Sequence, residues 1–377
     1  MTAKPLKTIV LDIIPRGADR HQAEANLAEL LSLAKTAGGI VVEKIIQKRG
    51  RPSSKTFLGE GKIEEVSAYA KEHGIELVII NGSLKPHQYV HLGEKFPQIK
   101  LWDRIDLILN IFDKHASAPE AKLQIKLARM HHEIPKIYAR ESTTLFERAG
   151  AGIGTRGAGE KGIEEEKRHI RNQIKNIKQK LEVMQKKQRS QRKNRLQTGM
   201  PTVAIVGYTN AGKSSLMRAL TKKDNIRVDD ALFVTLETKI GSLWLPEASQ
   251  NVLVADTIGF IRDLPPDLVS SFLTTLEEAR EADLLLHVID ISDPKFLEKI
   301  RVVEEILEQI KCSKIPKLYV LNKADRLLGF VEAQAGDAHF VIPPIAKPFS
   351  PVFTSTNTAY GLEQLKTAIA EHLFPSE

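Results

Sequence analysis

The chain has 377 residues, more than one compact core of ordinary size requires, so two or three domains are expected. Apolar residues make up 42% and charged residues 27%, values that exclude a wholly disordered or fibrous chain. The formal net charge of +8 favours a polyanionic partner. One cysteine, Cys312, has no partner for a disulfide, and no apolar run reaches the roughly 18 residues of a membrane span. We therefore expect a cytoplasmic protein without an intrinsic membrane segment.

In the N-terminal third, β-rich apolar runs alternate with helix-like stretches. The predicted strands are TIVLDII, IVVEKI, ELVII and IKLW, and the predicted helices include residues 21–36, 62–72 and 86–96. Strict alternation of this kind predicts a parallel sheet covered by helices. Residues 1–115 are assigned to an N-terminal α/β domain.

The next segment, residues 116–198, is predicted to be an antiparallel helical hairpin. Residues 118–133 carry one apolar stripe, and a longer helix from 163 to about 195 carries another at heptad-like spacing. The stripes consist of Leu123, Leu127, Met130 and Ile134, and of Ile163, Ile170, Ile174, Ile177, Leu181 and Met184. Thr198, Gly199 and Pro201 then mark a domain boundary.

The stretch AGAGIGTRGAGEKG, residues 149–162, joins these two helices. Gly152, Gly154 and Gly157 have the G-x-G-x-x-G spacing of a dinucleotide-binding turn. Such a turn must follow a strand inside a βαβ unit, whereas a helix is predicted to precede this one. The nucleotide is therefore expected elsewhere.

Residues 199–377 return to α/β alternation and contain GYTNAGKS, a match to G-x-x-x-x-G-K-[ST] between an apolar strand and a helix. Backbone amides of such a P-loop bind β and γ phosphates, Lys213 reaches the phosphate oxygens and Ser214 a magnesium ion. The residues expected to bind nucleotide here are Gly207, Tyr208, Thr209, Asn210, Ala211, Gly212, Lys213, Ser214 and Ser215.

Guanine selectivity is predicted from LNKAD, which contains Asn322, Lys323 and Asp325 and follows a strand. An aspartate beside the base accepts hydrogen bonds from two N–H groups of guanine, whereas adenine would leave the carboxylate unpaired. Ser355 and Thr356, in FTSTNTAYG, are expected beside the same base.

The third element is DTIG, with Asp256 ending a strand. Asp256 is expected to orient magnesium, and the amide of Gly259 to detect the γ phosphate. Thr235 is the preferred further magnesium ligand, with Thr238 as the alternative. Lys213, Thr235 and Gly259 form the predicted catalytic set, and Ser214, Thr235 and Asp256 the metal set.

The positive charge is concentrated in residues 161–197, which hold thirteen Lys and Arg against four Glu. A charge run is often a solvated helix face, but these bases lie beside a flexible glycine loop, so RNA phosphate binding is favoured. The predicted RNA contacts are Gly152, Gly154, Arg156, Gly157, Lys161, Lys167, Arg168 and Arg171.

Together with three longer segments, these motifs resemble the HflX family of ribosome-associated P-loop GTPases over almost the whole chain. The segments are TFLGEGKIEEV, DRIDLILNIFDKHASAPEAKLQIKLARMHHEIPKI and GIGTRGAGEKGIEEEKRHIRNQI. The resemblance implies a GTPase domain with a mixed six-stranded sheet and a monomeric, magnesium-dependent enzyme. It also implies binding of GTP and GDP, and contacts with the 50S subunit and its 23S rRNA. Splitting or rescue of stalled 70S ribosomes is the implied task. The alternative is a GTP-gated RNA-binding factor for ribosome assembly or rRNA remodelling.

The sequence also departs from that pattern. Lys161 and Gly162 replace the usual Thr-Gln. Phe260 stands where Ras-like proteins place a glutamine, so slow hydrolysis without a partner is expected, because a phenyl ring cannot orient water by hydrogen bonding. Asn210 occupies the position that ligates potassium in some related GTPases, which makes potassium a candidate second cation. GEGK at 59–62 is interpreted as a plain turn, with a second nucleotide site as the alternative.

Overall fold

The computed structural model describes residues 5–17, 20–150, 158–196, 199–221, 239–262, 278–327 and 351–375. The chain divides into two compact units, Met1–Lys114 with Lys122–Val183, and His115–Ala121 with Met184–Glu377. Most of the helical hairpin thus belongs to the N-terminal unit. The three-domain boundaries at 115 and 198 stay a prediction.

The N-terminal unit begins with a four-stranded parallel sheet of order β2-β1-β3-β4. Isoleucine, valine and leucine fill its core between the sheet and the helices, as the alternation predicts. Its elements are β1 (Leu6–Ile14), α1 (Arg20–Ala37), β2 (Gly39–Lys48), α2 (Glu60–Glu72), β3 (Leu77–Ile80), α3 (Pro86–Lys95), β4 (Lys100–Trp102) and α4 (Arg104–His115).

The hairpin helices are α5 (Pro119–Gly150) and α6 (Ala158–Leu196). The two predicted stripes meet, because Leu127 and Met130 of α5 pack against Ile177 and Leu181 of α6. Both helices are longer than the pattern indicates. The loop expected at 149–162 is therefore shorter, and α5 continues through Pro135 instead of ending near residue 133.

The C-terminal unit contains a six-stranded sheet of order β10-β9-β8-β5-β7-β6, in which β6 alone is antiparallel to its neighbour. This is the mixed sheet that the resemblance implies. Its elements are β5 (Thr202–Gly207), α7 (Lys213–Thr221), β6 (Lys239–Leu245), β7 (Gln250–Asp256), β8 (Leu284–Asp290), α8 (Phe296–Gln309), β9 (Lys317–Asn322), a 3-10 turn (Ala324–Arg326), β10 (Val352–Phe353) and α9 (Leu362–Leu373).

The parallel strands of this sheet position the site. β5, β7, β8 and β9 are largely apolar and mostly buried, with polar residues or glycine at their carboxyl ends. Gly207, Asp256, Asp290 and Asn322 therefore lie along one edge, where open α/β sheets bind ligands. Among the described residues, no helix combines the length and the apolar composition that crossing a membrane requires.

Candidate functional site

The P-loop connects β5 to α7 and has the tight backbone that the motif predicts. Asn210 has φ of 61° and Gly212 has φ of 93°. A Cβ added at Gly212 would lie 2.2 Å from Nδ2 of Asn322, so a side chain here would be strained and would also displace the base motif. The loop and the first turn of α7 thus form a compact backbone cradle of the kind that binds phosphate.

Lys213 lies at the centre of this cradle. Its Nζ donates a hydrogen bond to the carbonyl oxygen of Tyr208 over 2.7 Å, and the side chain is buried. Burial lowers the pKa of Lys213 to about 8, although the Asp256 carboxylate acts in the opposite direction. A desolvated ammonium on a glycine-rich loop is suited to an anionic ligand. Gly259 lies close to the same ammonium, since a Cβ at residue 259 would be 2.8 Å from Nζ of Lys213.

The predicted magnesium residues are partly brought together. Oγ of Ser214 donates a hydrogen bond to Oδ2 of Asp256 over 2.7 Å, and Asp256 is buried at the end of β7. A hydroxyl and a carboxylate oxygen are the hard ligands that Mg²⁺ prefers, so these residues fit that ion. Thr235 and Thr238 lie outside the described residues.

Backbone hydrogen bonds hold the DTIG segment against the P-loop. The amide of Thr209 donates to the carbonyl of Phe260 over 2.8 Å, and the amide of Phe260 donates to the carbonyl of Gly207 over 3.1 Å. The side chain of Phe260 is 2% exposed. The ring is therefore a packing group, and it offers nothing that could orient water.

The base-recognition motif is anchored to the P-loop. Nδ2 of Asn322 donates to the carbonyl of Ala211 over 2.9 Å. Nζ of Lys323 reaches the carbonyl of Asn210 and Oδ2 of Asp290, each over 2.7 Å. The strand-end residues and the P-loop therefore form one connected site.

Asp325 is held by two donors from the segment after β10. Oγ of Ser355 donates to its Oδ1 over 2.7 Å, and Nδ2 of Asn357 donates to its Oδ2 over 3.1 Å. Although burial acts to raise it, these hydrogen bonds lower the pKa of Asp325 below its ordinary value, so the carboxylate stays ionised. Thr356 lies half-buried between the two donors and Ser215 half-buried at the start of α7.

Two described residues that contact the base motif, Asn357 and Asp290, were not predicted from the sequence. Asn357 follows the predicted Ser355–Thr356 pair and binds Asp325, and Asp290 at the end of β8 pairs with Lys323. A signal for Asp290 existed, because a polar residue closes an otherwise apolar strand at the edge where the motifs meet. Asn357 gave no comparable signal within its polar turn.

Only part of the predicted RNA-binding set can be located. Gly152, Gly154, Arg156 and Gly157 lie outside the described residues, as does the side chain of Lys161, while Arg168 and Arg171 are exposed on α6. Lys167 differs from Arg168 and Arg171 in its exposure. It is 9% exposed, with Nζ 4.3 Å from the centre of the Tyr138 ring. The Lys167 ammonium is thus held over the Tyr138 ring, and contact of Lys167 with RNA stays a prediction.

The GEGK segment begins α2. The amide of Gly59 donates to Oε1 of Gln47 over 2.8 Å, and Lys62 pairs with Glu65 one turn later. The Gly59 amide and the Lys62 ammonium thus have intramolecular partners, and the plain turn stays a prediction.

Comparison with known proteins covers nearly the whole chain. Three family models match: "GTP-binding GTPase N-terminal" at residues 24–113, "GTP-binding GTPase Middle Region" at 115–195 and "50S ribosome-binding GTPase" at 202–323. The GTPase HflX of Caldanaerobacter subterraneus is 40% identical over 351 residues, 93% of this chain and 78% of the relative. The GTPase HflX of Escherichia coli K12 is 38% identical over 348 residues, 92% and 79% of the two chains. A crystal structure of SsGBP in complex with GDP aligns with a TM-score of 0.50 and 25% identity, covering 97% of this chain and 98% of the other.

The fold, the P-loop and the base motif define a P-loop GTPase that binds guanine nucleotides and hydrolyses GTP. Relatives at about 40% identity extend this conclusion from the nucleotide-binding domain to the whole chain. The chain belongs to the HflX family.

Proposed function

We propose that this chain is a GTP-dependent factor that binds the 50S ribosomal subunit through 23S rRNA and splits or rescues stalled or idle 70S ribosomes. The match of residues 202–323 to a 50S ribosome-binding GTPase model supports the partner. The cytoplasm is the compartment in which that partner is met, and a monomer is the expected acting form.

The main support for contact with RNA is the exposed basic face of α6. Ile177 and Leu181 are buried against α5, whereas Arg168, Lys175 and Lys178 of the same helix are exposed. An apolar stripe thus fixes the helix and leaves a row of cations exposed. Such a row binds polyanionic backbones with strong salt dependence.

The chemistry proposed for the nucleotide site follows its geometry. Lys213 and the P-loop amides bind the β and γ phosphates, Ser214 and Asp256 hold Mg²⁺, and Asp325 accepts from guanine. Mg²⁺ would supply charge neutralisation at the phosphates. Thr235 and the Gly259 amide complete the set that responds to the γ phosphate. Because Phe260 cannot orient water, hydrolysis is slow until the ribosome orders the segment.

Cosedimentation with purified 50S subunits tests the proposal. We expect binding with a non-hydrolysable GTP analogue and weak binding with GDP. The double variant Arg168→Glu, Lys175→Glu should bind about tenfold more weakly and with a less steep salt dependence. The matched control Arg301→Glu, Lys314→Glu reverses two exposed charges on the nucleotide-binding unit. Equal binding in both nucleotide states, or equal loss in both variants, would contradict the proposal.

A second experiment separates the ribosome factor from an assembly or remodelling factor. GTPase stimulation is compared between 50S subunits, 70S ribosomes and protein-free ribosomal RNA. Stimulation by intact particles alone supports the first function, and equal stimulation by free RNA supports the second. Matched sodium and potassium chloride in the same assay test the proposal of potassium at Asn210, which equal rates would exclude.

A further inference from the structure

Tyr208 differs from the other P-loop residues because its side chain makes a hydrogen bond that phosphate binding by the loop does not require. The P-loop uses the backbone at this position, yet the Tyr208 ring is 6% exposed and its hydroxyl accepts a hydrogen bond from the amide of Arg262 over 3.0 Å. Arg262 is the third residue after Gly259, at the end of the described DTIG segment. The P-loop and the segment that responds to the γ phosphate are therefore joined through a side chain as well as through the backbone.

The DTIG segment is tethered to β5 and the P-loop at successive points. Oγ1 of Thr257 donates to the carbonyl of Ile205 over 2.7 Å, and the backbone of Phe260 exchanges hydrogen bonds with Gly207 and Thr209. The Tyr208 hydroxyl provides the last of these contacts before residue 263. It therefore fixes the backbone at Arg262 relative to the P-loop.

The orientation of the Tyr208 ring is set from another side by Lys299 of α8. Nζ of Lys299 lies 4.8 Å from the ring centre, and Lys299 is itself paired with Asp293. A cavity of about 50 Å³ lies beside the ring, lined in part by Asn210, His287 and Phe296. The ring therefore has two polar contacts, the Arg262 amide at its hydroxyl and the Lys299 ammonium over its face.

We infer that Tyr208 is a positioning residue for GTP hydrolysis: its hydroxyl holds the backbone of Arg262 and thereby fixes the segment whose Gly259 amide meets the γ phosphate. Phe260 makes such a residue necessary. Since that side chain cannot bind water, the backbone of this segment must present the polar groups in the unassisted reaction, and its position must be fixed. A phenylalanine at 208 would keep the ring and remove the hydroxyl that accepts from the Arg262 amide.

The test compares Tyr208→Phe with the unmodified full chain, without ribosomes, so that its outcome is independent of the proposed ribosomal partner. Single-turnover GTP hydrolysis should slow about fivefold, the order expected from one lost hydrogen bond, while the Kd for fluorescent GDP stays within about twofold. Amide hydrogen exchange in the peptide containing Arg262 should accelerate. Lys299→Met should slow hydrolysis in the same direction by a smaller factor, because the ring loses its second polar contact.

Tyr319→Phe is the matched control, since it removes a hydroxyl that donates to Oε1 of Glu304 over 3.1 Å in the same unit. It should leave hydrolysis and exchange at Arg262 unchanged. Unchanged hydrolysis in Tyr208→Phe would overturn the inference, whether or not its Tm falls. Parallel losses of GDP affinity and hydrolysis would also overturn it, because they would place the effect in nucleotide binding.

Discussion

The side-chain amide of Asn322 donates a hydrogen bond to the carbonyl oxygen of Ala211, 111 residues earlier in the chain, over 2.9 Å. Both residues are buried. The base motif therefore supports the loop that is expected to hold the phosphates, and one contact couples recognition of the base to the shape of the phosphate cradle.

Removing this contact should weaken binding of the whole nucleotide. Asn322→Ala leaves the buried Ala211 carbonyl without this donor, which costs about 1–3 kcal/mol. We expect the Kd for fluorescent GDP to rise by about tenfold or more in an equilibrium titration. Asn251→Ala, an exposed asparagine on β7, is the control and should bind normally. Unchanged affinity in Asn322→Ala would contradict the coupling.

The base preference is expected to depend on Asp325. A carboxylate accepts two hydrogen bonds from guanine, whereas an asparagine offers one acceptor and one donor, which suits the C2 oxygen of xanthine. Asp325→Asn should bind GTP more weakly and xanthosine triphosphate more tightly in competition assays. Asn357→Ala should reduce GDP affinity only a few-fold and leave the preference for guanine intact, because it removes one support of the carboxylate. A switch in preference in Asn357→Ala would show that Asp325 is not the determinant.

Nucleotide binding should take up a proton at mildly alkaline pH. Burial lowers the pKa of Lys213 to about 8 without nucleotide, and the phosphates would raise it again. Below about pH 8 the lysine is already charged, and above it the neutral fraction must be protonated before binding. GDP affinity should therefore fall as pH rises above about 8. Calorimetry at about pH 8.5 in two buffers of different ionisation enthalpy should show proton uptake. Identical heats in both buffers would refute this.

The N-terminal unit should lose stability at alkaline pH through His132. Although burial opposes it, the nearby carboxylates of Asp103 and Asp106 raise the pKa of His132 to about 9. Its ring nitrogen lies 3.2 Å from Asp103 and 3.4 Å from Asp106, and Lys136 also pairs with Asp106. Since the folded pKa lies above the unfolded value of 6.5, the stabilisation is complete below about pH 6.5 and disappears as pH rises through 9.

Thermal unfolding of the full chain from about pH 6 to about pH 9.5 measures this effect. The Tm of the N-terminal unit should fall by several degrees over that range, and His132→Gln should start lower and change less. His91→Gln, at a half-buried histidine on α3, provides the control and should follow the unmodified profile. A steep alkaline fall that persists in His132→Gln would assign it to another group.

The element pattern of both α/β segments was predictable because alternation of apolar strands and amphipathic helices is a local property of the sequence. The helix α4 lacks the periodic pattern of the other helices for a physical reason. Leu107, Ile108, Leu109, Ile111 and Phe112 are all buried, so the helix shows no single apolar stripe. Only its tertiary surroundings distinguish such a segment from a buried strand.

The extension of α5 beyond Pro135 was likewise decided by tertiary contacts. A proline inside a helix removes a backbone hydrogen bond and usually ends it. Here the next residue, Lys136, pairs with Asp106 over 2.9 Å and lies 3.9 Å from the centre of the Tyr89 ring. These buried contacts stabilise the chain at the point where local propensity would end the helix.

The sequence by itself determined the nucleotide-binding motifs, the P-loop glycines and the concentration of positive charge on α6, because each depends on residue type and short spacing. The tertiary structure decided which of these residues meet. It brought Asn322 to Ala211, the Tyr208 hydroxyl to the Arg262 amide and the Lys167 ammonium to the Tyr138 ring. Most of these contacts join residues far apart in the chain, and their geometry follows from the parallel sheet and the helix packing, which no local pattern specifies.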